Sequence, residues 1–230
     1  MIVAAHQPNF LPWLGFFDKL ARADVLVLLD DVQFPRTGAG VWTNRVGVLA
    51  EGERRWLTVP VERAGRGLQL VNEVRIDPSQ QWKRKLVRTL EQHYARAAAY
   101  EETFPFVRSL LEFESDRLAA YNEAGLRSLA RELGLAEARL RLSSELGAQG
   151  SGTDLLVDLT LAVGGTTYLS GDGAGGYQDE DRFRAAGLEL RFQRFEHPVY
   201  PQLGERFVPG LSVVDALLNC GFEGTRALLA

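Results

Sequence analysis

The chain has 230 residues, 46% of them hydrophobic, a formal net charge of −4 and one cysteine, Cys220. This supplies one substantial core, or a main domain with a smaller appendage; it gives no reason to expect nucleic acid as a partner and rules out an intramolecular disulfide framework. No apolar run approaches membrane-spanning length, the N-terminus lacks a signal peptide's basic start and cleavage site, and Pro8 and Pro12 interrupt it, so a soluble cytoplasmic protein is expected.

Residues 2–5 are a short apolar run that predicts a buried strand, with His6, Gln7, Pro8 and Asn9 at its end. Phe10, Trp13, Leu14, Phe17 and Leu20 follow at helical spacing, and Pro12 sits near the helix start, where its missing N–H costs little. A second apolar run, residues 25–29, stops at Asp30-Asp31. This strand–loop–helix–strand order is a Rossmann-like start. Parallel sheets gather ligand-binding groups at the carboxyl ends of their strands, so the polar clusters at 6–9 and 30–33 are expected to face one crevice.

Further along, residues 34–45 read as loop, with Pro35, Gly38 and Gly40, and end in Trp42, Thr43, Asn44 and Arg45. Residues 46–49 and 55–61 predict a β-hairpin, and the alternation over 70–76 predicts another strand. Residue 77 or 79 can cap a helix over 82–99, and residues 106–133 are mainly helical after Pro105, ended by Gly134. A short strand is expected at 140–142, a helix at 154–163, a strand at 166–169, a short helix at 183–186 and a strand at 188–195. Pro198 and Pro201 exclude regular structure from 197–202. A last helix over 213–220 is expected to be capped by Ser212, with Asp215 completing a capping box. Strands alternating with helices predict an α/β fold with a mostly parallel layered sheet, in one domain spanning 1–230, with residues 78–140 as a helix-rich insertion or cap.

Several polar groups can carry chemistry, and each has a plainer reading. His6, beside Gln7 and Asn9 and within reach of Asp30 or Asp31, can serve as a general base; otherwise the cluster satisfies strand-end backbone groups. Asp30 and Asp31 with Gln33 can offer oxygen ligands to a cation, but adjacent strand residues point to opposite faces, and a solvated strand end is the alternative. Asn44-Arg45 suits a carboxylate or phosphate, or is an ordinary surface pair. His93, on the apolar side of a helix, reads as a core histidine. Ser170-Gly171-Asp172-Gly173 follows a strand and can admit a phosphate close to backbone, but it matches neither phosphate-loop spacing and can equally be a flexible turn. His197, Tyr200 and Gln202 are held by two prolines in an extended segment, and His6 paired with His197 would give a base and an acid. Cys220 reads as a small buried hydrophobe.

The ordered series HQPNFLPWLGFFDKL, ADVLVLLDDVQF, TNR, WLTVPV, QWKRKL with QHY, YLSG, FEHPVYPQ and SVVDALLNCG resembles the WbqC-like family along nearly the whole chain. The resemblance implies bacterial proteins associated with surface-polysaccharide biosynthesis, acting on activated sugars or similar small molecules. It places motif positions at His6, Gln7, Pro8, Asn9, Trp13, Asp30, Asp31, Gln33, Asn44, Arg45, His93, Tyr94, Ser170, Gly171, His197, Pro198, Tyr200, Gln202, Asp215 and Asn219. The loop order is also similar to HIGH-type nucleotidyltransferases. Those need a second histidine a helical turn later, where this chain has Asn9 and then Trp13, so that likeness supports topology rather than adenylyl transfer.

The leading functional expectation is a transferase acting on a sugar or nucleotide-sugar. His6 is the base and His197 the proton donor or relay, with Asp30 alongside. Arg45 and the Gly171 loop hold an anionic group, and Trp13 and Tyr200 form an apolar wall. The alternatives are a non-catalytic sugar- or nucleotide-binding partner and a structural interaction protein. No cofactor, metal ligand set or oligomeric state is assigned. The single-site expectation requires the strand at 188–195 to run parallel, so that 197–202 arrives beside the His6 loop.

Overall fold

The computed structural model describes residues 1–35, 42–63, 67–78, 81–171 and 178–229. The expectations for Gly38, Gly40, Ser79, Asp172 and residues 173–176 lie outside them. The apolar runs become strands β1 (Ile2–His6), β2 (Val25–Leu28), β5 (Leu140–Leu142), β6 (Thr167–Ser170) and β7 (Glu189–Phe192). They form one parallel sheet in the order β5-β2-β1-β6-β7. β3 (Arg45–Ala50) and β4 (Glu53–Thr58) form a separate antiparallel hairpin.

Alternation along β1 assigns the two faces. Val3 and Ala5 join Tyr168, Phe183 and Leu188 on the side of helices α5 (Gly152–Ala162) and α6 (Glu180–Ala185). Ala4 joins Phe16, Phe17, Leu26 and Leu28 in a larger core on the other side. A parallel sheet covered on both faces is the doubly wound α/β arrangement. Helix α1 (Leu14–Arg22) is buried at every position from 14 to 20, Asp18 and Lys19 included.

The helix-rich middle shares the larger core. It contains α2 (Trp82–Tyr94), α3 (Tyr100–Glu112) and α4 (Leu118–Glu132), with α7 (Val213–Ala227) packed against α3. The expected helices over 82–99 and 106–133 are therefore cut differently. The second run is broken at 113–117 because backbone there pairs elsewhere: Ile76 N–H donates to Asp116 O at 2.9 Å and Leu118 N–H to Val74 O at 3.0 Å. The first break, after Tyr94, is matched by a kink in α7 at Gly221, whose φ of 72° suits glycine. Ala99 N–H donates to Leu218 O at 3.0 Å and Thr103 Oγ1 to Leu217 O at 3.2 Å, so the start of α3 bonds to carbonyls just before the kink.

Two smaller expectations are corrected. Residues 70–76 are not a strand; Val71–Glu73 is a 3₁₀ turn, and the buried Val71 and Val74 stand three apart, the period of such a turn. Ser212 does cap α7, accepting from Val214 N–H at 3.2 Å, but the Asp215 carboxylate turns into the core and completes no capping box. No helix among the described residues is long and apolar enough to cross a membrane.

Candidate functional site

Strand order reverses beside β1: one half of the sheet runs out through β2 and β5, the other through β6 and β7. The loops diverge there and a crevice opens at the carboxyl edge. A cleft of about 620 Å³ occupies this place, reached by His6 at the end of β1 and Gln7 after it, Gly171 after β6 and Gln193 after β7. Because β7 is parallel, the chain leaving it returns over the same edge and brings Phe195 and His197 to the cleft. A larger surface hollow of about 780 Å³ lies around Arg75, Trp82 and Asp116. None of its lining belongs to the sheet's carboxyl edge, and Arg75–Asp116 at 3.1 Å and Lys83–Glu114 at 2.9 Å already pair there.

The loop carrying the motif is tied down from three directions. Asn122 of α4 donates to Pro8 O at 2.8 Å and to Thr43 O at 2.7 Å. Phe10 N–H donates to Trp42 O at 3.1 Å, and Ser212 Oγ donates to Leu11 O at 2.7 Å. Leu11 has a φ of 40°, a left-handed conformation that costs on the order of 1 kcal/mol for a residue with a Cβ. These bonds offset that cost and deliver Trp13 to the cleft wall. Trp13 stands edge-on to His6 (5.6 Å between ring centres) and tilted against Trp42 (5.1 Å).

His6 Nδ1 lies 3.1 Å from Gln7 O. A carbonyl only accepts, so Nδ1 carries the hydrogen and Nε2 keeps its lone pair. Burial of the ring, reinforced by the Lys19 ammonium and only partly opposed by the Gln7 bond, pushes the His6 pKa down to about 3. The imidazole is therefore neutral throughout the physiological range. Burial and then Arg54 lower the His197 pKa too. Unfolding returns His6 to its ordinary value of 6.5. From there down to about 3 the unfolded chain binds a proton that the folded chain refuses, so stability falls as pH falls, by up to about 1.4 kcal/mol per unit. Asp215, pushed up by burial, works in the opposite direction, so the expected result is a difference. Between pH 7 and 4.5 (a range of about 2.5 units), wild type loses more unfolding free energy than His6→Gln in denaturant titrations; parallel losses would show that His6 is not depressed.

A family model, the WbqC-like protein family, matches residues 7–227. The chain belongs to the WbqC-like protein family. It is also 31% identical over 223 residues to the uncharacterized protein Rv1507c of Mycobacterium tuberculosis, covering 96% of this chain and 94% of that one. No solved structure matches.

The WbqC-like motif positions divide between the cleft and the frame. His6, Gln7, Trp13, Gly171 and His197 line the cleft. Gln33 is exposed, with its carbonyl 3.5 Å from Gln7 Nε2, and Ser170 is buried beneath the edge. Asp30 is turned away from it: its carboxylate accepts from Ser143 Oγ (3.0 Å), Ser144 N–H (3.0 Å) and Ser144 Oγ (2.7 Å), tying the end of β2 to the turn after β5. Asp31 accepts from Ser143 Oγ as well. Among the described residues no three His, Cys, Asp or Glu side chains gather so as to hold a metal ion. Asp30→Ala leaves the Ser144 N–H and hydroxyl unpaired while Ser143 Oγ keeps Asp31, and a loss of about 1–3 kcal/mol in unfolding free energy is expected from urea titration.

Asn44 Nδ2 donates to Val59 O at 3.0 Å, a tie within the hairpin, and Arg45 lies over the Trp56 ring at 4.6 Å. Neither lines the cleft. Asn9 is buried, and its Nδ2 and the Nε2 of His93 have no partner among the described residues. Tyr200, Gln202 and Asn219 converge instead on Asp215: Tyr200 Oη donates at 2.9 Å, Gln202 Nε2 at 3.2 Å and Asn219 Nδ2 at 3.4 Å, while Tyr94 donates to the other oxygen at 2.6 Å. The FEHPVYPQ motif is thus split, with His197 at the cleft and Tyr200 and Gln202 in the frame.

Sequence reasoning missed Lys19, Trp42, Gln193 and Phe195, all in the cleft lining. Lys19 had a signal: a lysine that the 3.6-residue period places beside Phe16, on the face that the apolar residues of the helix mark as the sheet side. Gln193, which donates to Gly15 O and Asp18 Oδ2 at 2.7 Å each, had none.

Proposed function

We propose that this WbqC-like protein is a small-molecule transferase working in the cleft at the strand-order reversal, on a sugar or nucleotide-sugar, with His6 as general base. The observation that carries this reading is a neutral imidazole whose Nε2 lone pair is left open by the Gln7 bond, in a cleft that also contains the Lys19 ammonium. His197 lines the same cleft and supplies a second proton-transfer group. Trp13 and Trp42 offer flat apolar walls of the kind that sugar rings and bases stack on. A cleft of about 620 Å³ suits a ligand of nucleotide-sugar size. Small-molecule binding at the carboxyl edge of a doubly wound sheet supports the same reading, as does the family's association with glycan biosynthesis.

A second reading, a non-catalytic sugar- or nucleotide-binding partner, is favoured by one observation: a histidine with a pKa of about 3 is a weak base until something raises it. The two readings separate in one assay. The purified protein is screened against nucleotide-sugars by thermal shift, and the binders are incubated with sugar acceptors while nucleotide release is followed by chromatography. Release that depends on both partners is the expected result. Binding that raises Tm with no turnover on any acceptor overturns the transferase and leaves the binder.

A further inference from the structure

We propose that the cleft contains a subsite for an anionic group of the substrate, a phosphate or a carboxylate, formed where the Lys19 ammonium faces Gly171. This rests on reading the cleft as a small-molecule site, and it names the chemistry that the small molecule must carry. Lys19 is only 5% exposed, in the stretch of α1 that is buried from residue 14 to 20, yet it belongs to the cleft lining. Ammonium groups are kept this deep only where their charge has a use, because removing one from water costs several kcal/mol. Gly171 is the matching piece. A Cβ placed on it would stand 2.8 Å from Lys19 Nζ and 4.0 Å from Gln193 Oε1, so the absence of a side chain is what lets the ammonium lie against the backbone of residue 171 at the cleft wall. Gln178 also lines the cleft, and its Oε1 is buried with no partner among the described residues; an amide oxygen accepts, so it suits a hydroxyl of the same ligand rather than its charged group. The nearest carboxylate in sequence, Asp18, is already occupied by Arg22 at 3.0 Å and by Gln193 at 2.7 Å.

Lys19 has an interaction of its own within the protein, so an arriving anion shares or competes for an ammonium with three donors. The consequence for the chemistry is direct. Lys19 is one of the two causes that hold His6 neutral. Burial, the larger cause, remains; an anion seated on Lys19 cancels the smaller one, so part of the basicity returns to Nε2 when substrate is present. The subsite thereby couples binding of the charged group to readiness of the base. Arg45, expected from the sequence to hold the anion, lies over Trp56 instead.

The test follows the His6 ring proton by NMR while inorganic pyrophosphate, acetate and the neutral methyl glucoside are titrated into the full chain. Pyrophosphate or acetate is expected to shift the His6 resonance and to raise the pH at which it titrates; methyl glucoside is expected to do neither. A response to pyrophosphate alone assigns the subsite to phosphates, and a response to acetate alone assigns it to carboxylates. Lys19→Met is expected to weaken the anion about tenfold, equivalent to about 1.4 kcal/mol, and to raise the His6 titration point with no ligand added. Gly171→Ala keeps the fold, because the atom it meets is the mobile end of a lysine, and should weaken binding about threefold by crowding the ammonium. If no anion moves the His6 resonance, or if both variants bind pyrophosphate and acetate as wild type does, the subsite does not exist. Turnover of nucleotide-sugars alongside that result would leave the transferase reading standing without it.

Discussion

His6→Gln is expected to reduce kcat by about 10²- to 10⁴-fold in the nucleotide-release assay, the usual contribution of one general base. Glutamine can still donate to Gln7 O, so the loop keeps its tie, but it has no basic nitrogen. The ring contacts of His6 with Trp13 (5.6 Å) and Phe16 (5.4 Å) are lost too, at a cost of about 1 kcal/mol in stability, which a folded domain tolerates. The expected signature is a fall in kcat with little change in KM, since an interaction made only in the transition state is removed. Unchanged kcat with a working substrate would remove His6 from the chemistry. His197→Gln is expected to have a smaller effect, because His197 is exposed at the rim.

The largest stability loss is expected from Asp215→Ala, about 2–5 kcal/mol in urea titration, at roughly 1–3 kcal/mol for each buried hydroxyl left unpaired. Asp215 is fully buried and accepts from Tyr94, Tyr200, Gln202 and Asn219, which come from α2, the 197–202 segment and α7. Burial raises its pKa and the four donors oppose the rise. Alanine leaves the Tyr94 and Tyr200 hydroxyls without their acceptor in a dry interior, where unpaired groups are costly, while Gln202 Nε2 keeps Val208 O at 3.1 Å and Asn219 Nδ2 keeps the backbone oxygen of residue 215 at 2.8 Å. A loss of that size is a large part of a domain's margin of about 5–15 kcal/mol, so aggregation on expression is the accompanying result. Asp215→Asn keeps an acceptor and should cost less. A variant with alanine at 215 that unfolds within about 1 kcal/mol of wild type would refute the structural role.

Much of the fold was legible because short apolar runs bounded by polar residues leave few choices. The runs at 2–5, 25–29, 140–142 and 166–169 each became a sheet strand, and His6 emerged at a strand end as its position required. The alternation at 70–76 misled because Val71 and Val74 are buried three apart, a spacing that an alternating pattern with one extra apolar residue imitates. Helix ends at 94 and 112 were not legible: they depend on backbone partners at Leu218, Val74 and Ile76 that the local sequence does not announce.

The sequence by itself determined the family, the parallel α/β class and the polar strand-end cluster at His6, since side-chain period and strand-end chemistry are local properties. Only the tertiary structure decided which motif residues share a cleft. The parallel direction of β7 brought His197 to the cleft that His6 also lines, and the turn of the chain beyond it sent Tyr200 and Gln202 to Asp215 instead. Tyr94 and Asp215 bond across 121 residues, and Lys19 meets Gly171 between α1 and the end of β6. A carboxylate or an ammonium reads the same in sequence whether it serves a frame or a ligand. What separates the two is the dielectric around it and the partners it finds, and both are set by contacts between distant parts of the chain.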